Sequence, residues 1–200
     1  MWEDSIVTDK RGYLTNDNLK NWTQSMRRTI KLLVVALVLM TTTTFAQTAV
    51  KEYKAGHVFY VNLPEYMTKT TGMNAAAGIQ FKNEIKDIAG FIIEDNKEEL
   101  AIAGMSFSSI DDFYQNFIKD FLNDKPNKKF AKPVMQTIGK TNFINCDVSY
   151  FDEESKVEIY YFVGIAETKD AFYKVLCFGS MDSKAKFKAD FQKILNSIRD

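Results

Sequence analysis

The sequence predicts an α+β fold with α/β/α layers, in which two amphipathic helices cover a largely antiparallel central sheet, preceded by a signal peptide. Three observations lead to this prediction. Apolar residues recur with a helical period through Ile110–Leu122 and again through Lys184–Ile198. The segment Val157–Ala166 between them is apolar at both its odd and its even positions. A strand of that kind needs cover on both faces, and the two helices can provide it.

The first element is an export signal at Met26–Gln47. Two arginines and a lysine form its basic beginning, and Leu32–Met40 follows as an unbroken apolar run. Thr44 and Ala46 then place small side chains at positions −3 and −1 of a signal-peptidase site before Gln47. The apolar run is shorter than the roughly 18–20 residues that span a bilayer. We therefore predict cleavage before Gln47, with an uncleaved membrane anchor as the alternative.

This signal divides the chain into four parts. Residues 1–25 are polar without an apolar period, so we expect an over-extended start or a disordered segment. Residues 26–46 are the signal peptide, residues 47–56 a flexible mature N-terminus, and residues 57–200 a single domain. The expected location is periplasmic or secreted, with membrane contact only through the signal peptide before cleavage.

The first half of the domain predicts three strands. His57–Leu63 alternates in side-chain pattern and ends before Pro64. Gly78–Lys82 and Ile88–Glu94 follow after a loop at Glu65–Ala77, which is rich in threonine and alanine. Because Ile88–Glu94 is nearly all apolar, we expect it near the centre of the sheet.

The helices show clear beginnings as well as apolar stripes. Ser109 precedes the Ile110–Leu122 stripe as a candidate N-cap, and two aspartates follow in the first turn, where a helix favours negative charge. Ser183 is the corresponding candidate for Lys184–Ile198. A shorter helix is predicted at Lys97–Ala103.

Four further strands are predicted in the second half of the domain: Pro133–Lys140, Phe143–Phe151, Val157–Ala166 and Ala171–Phe178. Short turns separate the last three, which predicts an antiparallel meander.

The two cysteines of the chain lie on the first and third strands of that meander. Strands two positions apart are about 10 Å apart, whereas a disulfide tolerates Cα separations only up to about 7 Å. We therefore predict that Cys146 and Cys177 stay unpaired. A disulfide is the alternative, because export implies an oxidising compartment.

Net charge and local charge runs exclude one class of partner. Lys+Arg and Asp+Glu both number 26, so the chain lacks the basic footprint that binding to nucleic acid requires. The basic stretch Lys125, Lys128, Lys129 and Lys132 is interpreted as a solvated loop.

Catalytic, metal and cofactor motifs do not emerge from the sequence. His57 is the single histidine, which is too few for a zinc cluster and has no recognisable nucleophile elbow beside it. The acidic run Asp152–Glu154 lacks the twelve-residue loop of a calcium site and is interpreted as a hairpin tip. The glycines are isolated, so no phosphate loop is formed. We therefore expect no catalytic residue, no metal and no cofactor.

Three segments carry a resemblance to a known group of proteins. They are the F-x-V-x-L-P pattern at Phe59–Pro64, the late strand Phe172–Leu176, and the helix end Ile194–Ile198. Together they resemble the PsbP-like fold group over about residues 57–198. Its members include photosystem II subunits, a nuclear GTPase-release factor and small exported bacterial proteins of unassigned function. The resemblance implies a non-enzymatic accessory role, and no functional residue of the group maps onto this chain.

Three functional hypotheses follow. The leading one is a non-catalytic, exported envelope accessory protein that binds another envelope protein. The second is a carrier or sensor of a small apolar or lipid-like ligand, held between the sheet and the Ile110–Leu122 helix. The third is a hydrolase with an unrecognised site. A flat exposed patch would favour the first, and a large apolar pocket the second.

Overall fold

Ten strands, three α-helices and a 3₁₀ turn make up the part of the chain that the computed structural model describes, residues 48–56 and 58–200. The strands are β1 (Val50–Ala55), β2 (Phe59–Pro64), β3 (Thr68–Thr70), β4 (Ile79–Asn83), β5 (Ile88–Asn96), β6 (Lys129–Phe130), β7 (Val134–Ile138), β8 (Thr141–Asp152), β9 (Val157–Glu167) and β10 (Ala171–Ser180). The helices are α1 (Lys97–Ile102), α2 (Ile110–Asp120) and α3 (Lys184–Asn196), and the 3₁₀ turn Met181–Ser183 leads into α3.

Eight of these strands form one antiparallel sheet. Its order is β3-β4-β5-β10-β9-β8, and both β6 and β7 pair with the outer side of β8. The predicted meander is therefore confirmed, because β8, β9 and β10 are direct neighbours. Strand β5 lies between β4 and β10, which agrees with its nearly continuous apolar sequence. The remaining strands, β1 and β2, form a separate two-stranded sheet.

Each face of the large sheet has its own apolar cluster. The α3-side cluster contains residues from β2, β9, β10 and α3, such as Phe59, Phe162 and Phe191. The α2-side cluster contains residues from α2, β8, β9 and β10, such as Phe113 and Val163. Neighbouring residues of β9 thus enter opposite clusters, as expected for a strand that is apolar on both sides. The predicted α/β/α layering is confirmed.

Three strands form where the sequence predicts none, namely β1, β3 and β6. The prediction of a flexible segment over residues 47–56 is wrong for Val50–Ala55, which pair with β2 along their whole length. Only Ala55 of this strand is buried, so backbone pairing, rather than an apolar pattern, forms it. In the same way Thr68–Thr70, within the predicted loop, form β3 by pairing with β4.

The two predicted helix caps differ in outcome. Ser109 Oγ accepts a hydrogen bond of 3.2 Å from the backbone N–H of Asp112, which confirms it as the N-cap of α2. Ser183 makes no capping bond. Its hydroxyl donates instead to the carbonyl of Ser180 at 2.7 Å, because the preceding 3₁₀ turn already gives Ser183 a helical backbone, with φ −74° and ψ −24°.

The two cysteines are free thiols on opposite faces of the sheet. Cys146 belongs to the α2-side cluster and Cys177 to the α3-side cluster. Burial raises the pKa of both thiols above its ordinary value. The prediction that they stay unpaired is therefore confirmed. Strand β9 separates the two strands that carry the thiols, and the thiols lie on opposite faces of the sheet.

None of the helices in residues 48–56 and 58–200 combines the length and the apolarity needed to cross a bilayer.

Candidate interaction surface at a sheet edge

One edge of the large sheet presents a row of exposed apolar side chains. Strands β6 and β7 run in line along β8, and between them the N–H of Ala131 donates to the carbonyl of Asp147 at 2.9 Å. We call residues 129–138 the β6–β7 edge. Its exposed apolar side chains, with their exposed fractions, are Phe130 (43%), Val134 (59%), Met135 (56%) and Ile138 (49%). Within the described part of the chain, no strand pairs with its outer side.

The opposite edge of the sheet has a different character. Strand β3 is only three residues long, and its residues Thr68–Thr70 are all polar, with Lys69 in the middle. Short length and a lysine are common devices that prevent an edge from pairing with other chains. The β6–β7 edge has a proline beside β7 but carries no charge between Val134 and Ile138. The two edges are therefore protected to different degrees.

The chain segment that carries the apolar row is basic. Residues 125–146 contain five lysines and no aspartate or glutamate, although the chain as a whole is neutral. The interpretation of this stretch as a solvated loop holds for Lys132, which is exposed. Lys129 instead lies in β6 and pairs with Glu158 at 3.3 Å. Lys128 Nζ donates to the carbonyls of Phe121 and Leu122 at the end of α2.

A groove of about 530 Å³ lies beside β7. Met135, Gln136 and Thr137 form one of its walls, and residues 108–110 at the start of α2 form another. Two hydrogen bonds fix its polar side: Thr137 Oγ1 donates to Asn142 Oδ1 at 2.9 Å, and Asn142 Nδ2 donates to Glu167 Oε2 at 3.1 Å. The first bond joins the end of β7 to β8, and the second joins β8 to β9.

A second polar cluster lies on the α3 side of β8 and centres on Asp147. Its Oδ2 receives Lys188 Nζ at 2.6 Å and Lys184 Nζ at 3.1 Å, and its Oδ1 accepts from Tyr160 OH at 2.8 Å. Burial by itself raises the pKa of this carboxyl, but the three donors outweigh burial and hold the pKa below its ordinary value. Burial and the Asp147 carboxylate raise the pKa of Tyr160. A carboxylate stabilised in this way is a weak base. Its contacts with the two lysines of α3 and with Tyr160 of β9 hold α3 against the sheet.

The acidic run at Asp152–Glu154, considered from the sequence as a calcium site, does not join the Asp147 cluster. Asp147 and Asp152 are five positions apart on β8, and strand alternation places them on opposite faces. Asp152 Oδ2 accepts from the backbone N–H and the hydroxyl of Ser155 at 2.9 and 2.6 Å. This pairing confirms the hairpin tip. His57 lies outside the described residues, as do the predicted signal-peptidase residues Thr44, Ala46 and Gln47.

A row of half-buried aromatic rings lies where the carrier hypothesis places its ligand. Phe117, Phe121, Tyr161, Phe178 and Phe91 follow one another with ring centroids 5.2 to 6.3 Å apart. Burial raises the pKa of Tyr161 to about 12. The groove that includes Phe178 is formed by the β4–β5 hairpin, β9 and β10 and not by α2. Its volume of about 290 Å³ lies just below the roughly 300–1,000 Å³ usual for ligand sites. The rings pack mainly on one another, as in a core.

Solved structures share this arrangement of strands and helices. CyanoP, the cyanobacterial PsbP protein of Synechocystis, is 10% identical with a TM-score of 0.55, and the match covers 80% of this chain and 96% of that chain. The chain has a PsbP-like fold. The Ran-binding protein Mog1p of Saccharomyces cerevisiae is 9% identical with a TM-score of 0.53, covering 76% of this chain and 96% of that chain. LpqN of Mycobacterium tuberculosis is 10% identical with a TM-score of 0.52, covering 74% and 90%.

The PsbP-like fold confirms the resemblance inferred from the sequence. No protein-family model matches the chain, and no curated protein matches it significantly. At such low identity, the shared PsbP-like fold carries no residue roles from one protein to another.

The β6–β7 edge is the feature that the sequence did not reveal. The segment Pro133–Lys140 was predicted as a strand, but a single strand pattern does not say where the strand lies in a sheet. The proline at its start and the surrounding lysines were the available signals, because both are typical of edge strands.

Proposed function

We propose that this protein is a non-catalytic, exported accessory protein of the cell envelope that binds another protein through the β6–β7 edge. Support for export comes from the order of basic, apolar and small residues in Met26–Gln47. LpqN, which shares the fold, is described as involved in cell envelope biogenesis.

The exposed apolar row on the β6–β7 edge carries the proposal. An edge strand presents backbone donors and acceptors that a partner can satisfy, and side chains on it add contact area. Val134, Met135 and Ile138 are each about half exposed or more, on a strand whose backbone is already ordered by β8. A partner would therefore gain apolar burial without having to order this surface first.

Site-specific photocrosslinking tests the proposal in cells that produce the protein. We would place benzoylphenylalanine at Met135 and, as a matched control, at Ile85, an apolar residue that is 98% exposed in the turn between β4 and β5. We expect one reproducible protein adduct from position 135 and none from position 85. No adduct at position 135, or the same adducts from both positions, would contradict the proposal.

A charged substitution distinguishes specific binding at this edge from nonspecific association with exposed apolar side chains. Val134→Lys places a charge in the middle of the apolar row, and Ile85→Lys places the same charge at the control position. We expect the first to abolish the position-135 adduct and the second to leave it unchanged. Both positions are exposed, so thermal unfolding midpoints should stay close to that of the wild-type protein.

Export makes its own prediction. Protein isolated from the envelope or the medium should begin at Gln47, which N-terminal sequencing can establish. An intact Met1 or Met26 terminus on all of the folded protein would contradict this part of the proposal.

The carrier hypothesis has weaker support, namely the half-buried aromatic row beside α2. Mass spectrometry of the protein purified under native conditions tests it. A bound lipid at a fixed ratio, together with no adduct at position 135, would favour the carrier over the accessory protein.

A further inference from the structure

We infer that β7 binds its partner by strand addition, and that the added strand is an extended segment of another protein with alternating apolar residues and acidic flanks. This inference rests on the proposed function and specifies the chemistry of the partner at the same edge.

The hairpin between β7 and β8 determines which backbone groups face outward. Its turn consists of Gly139, with φ +62°, and Lys140, so Ile138 and Thr141 form the closing pair. In a hairpin with a two-residue turn, the closing pair is hydrogen-bonded and the pairs alternate from there. The backbone groups of Met135 and Thr137 therefore point away from β8. They offer two N–H donors and two carbonyl acceptors to an added strand.

The side chains of β7 define the pattern of the added strand. Val134 and Ile138 lie on one face and Met135 on the other, because side chains alternate along a strand. An added strand whose alternating apolar residues lie on the face of Val134 and Ile138 gains apolar cross-strand contacts with them. Pro133 has no N–H, so regular pairing is limited to about five residues, the length of β7.

Charge distinguishes a foreign segment from a second copy of this chain. Lys132 and Lys140 bracket β7, and the whole stretch 125–146 lacks acidic residues. Antiparallel pairing of β7 with the β7 of a second copy would place Lys132 of one chain near Lys140 of the other, at both ends. Like charges in such positions oppose association. Acidic flanks on a foreign segment would meet the same lysines favourably.

A pair of synthetic peptides tests this chemistry on the full chain. Each fluorescent peptide has a five-residue core of alternating valine and threonine. One carries two glutamates at each end, and the other two lysines at each end. We expect the glutamate peptide to bind at least about tenfold more tightly by fluorescence anisotropy. Its advantage should shrink between about 0.1 M and 1 M salt, where the screening length falls from about 10 to 3 Å. Equal affinities at low salt would overturn the inference.

A proline substitution tests the backbone contact. Thr137→Pro removes one outward N–H, and its matched control Thr137→Ala removes the same hydroxyl but keeps the N–H. Loss of one backbone hydrogen bond corresponds to a weakening of about tenfold, which we expect for the proline variant alone. Circular dichroism would establish that both variants remain folded. Equal peptide affinities of the two folded variants would overturn strand addition.

The crosslinking and peptide experiments fail in distinguishable ways. If position 135 captures its partner as efficiently in the folded Thr137→Pro variant as in the Thr137→Ala variant, strand addition is wrong while the proposed function stands. If position 135 captures nothing, the proposed function itself is wrong. A concentration-dependent dimer in sedimentation, abolished by Thr137→Pro, would identify a second copy as the occupant and overturn the acidic partner.

Discussion

Asp190, which is buried, and Asp147, which is partly buried, connect distant parts of the chain through several donors each. Asp147 receives two lysines from α3 and a tyrosine from β9. Asp190, on α3, accepts hydrogen bonds from the Thr48 hydroxyl at 3.1 Å, the Tyr66 hydroxyl at 2.8 Å and Lys193 Nζ at 3.0 Å. A buried carboxylate is stable only when such donors replace water. Both aspartates therefore hold α3 against the rest of the domain through hydrogen bonds and ion pairs.

Replacing Asp147 with asparagine tests this role through its pH dependence. The folded protein lowers the pKa of Asp147 from its ordinary value of 3.8. Its charge therefore stabilises the fold above about pH 4, and this contribution is lost as the pH falls through the lowered pKa. We expect Asp147→Asn to reduce the free energy of unfolding at pH 7 by about 1–3 kcal/mol. The difference from the wild type should shrink below pH 4.

Urea denaturation at pH 7 and at pH 3 measures both parts of this prediction. Asp182→Asn, at an exposed position in the 3₁₀ turn, is the matched control and should change stability little at either pH. A difference for Asp147→Asn that stayed constant from pH 7 to pH 3 would show that the carboxylate charge is not the cause.

At the scale of single elements, α2 depends on a side-chain cap. Ser109 Oγ satisfies the N–H of Asp112, one of the backbone groups that a helix leaves without a partner in its first turn. The three buried residues of the helix, Ile110, Phe113 and Tyr114, all lie within its first two turns. The cap therefore orders the part of α2 that contacts the sheet.

We expect Ser109→Ala to destabilise the domain by about 1 kcal/mol, the usual effect of losing such a cap. Ser109→Thr retains a hydroxyl and should stay close to the wild type. Hydrogen exchange locates the effect, since the amide of Asp112 should exchange faster in the alanine variant only. Unchanged protection of this amide in Ser109→Ala would mean that the cap bond contributes nothing.

Long periodic elements were predictable from the sequence, and short ones were not. Helix α2 and strand β9 have patterns of eleven residues each, and both were predicted within a few residues. Strand β1 has a single buried residue, and β3 consists of three polar residues. Such strands owe their existence to a pairing partner, which no local pattern encodes. The candidate site was not predictable for the same reason. The exposure of β7 follows from its position at the sheet edge beside β8, which its own residues do not encode.

For the whole molecule, the last four residues close the α3-side cluster. Ile198 is buried, and Ser197 Oγ accepts from the N–H of Asn62 at 2.9 Å. Arg199 exchanges backbone hydrogen bonds with Tyr60 at 2.8 and 3.2 Å, and Asp200 accepts from Tyr173 OH at 2.7 Å. These bonds join the end of the chain to β2 and to β10.

Removing residues 197–200 should therefore destabilise the whole domain. Loss of a buried isoleucine side chain alone costs about 2–5 kcal/mol, a large part of the roughly 5–15 kcal/mol that stabilises a typical domain. Arg199→Ala keeps the backbone bonds and loses a half-exposed ion pair with Glu52, so we expect at most about 1 kcal/mol. Urea denaturation compares the two, and equal stabilities would contradict the role given to the chain end.

The bond between Asn62 and Ser197 spans 135 positions, which has a consequence for how the protein is made. At about 5–20 residues per second, a ribosome needs roughly 7 to 27 seconds to travel that distance. During this interval the apolar side of β2 has no helix to cover it, so the nascent chain cannot complete its core. A polypeptide released before residue 197 would lack these contacts with β2 and leave that side of the core open to proteases.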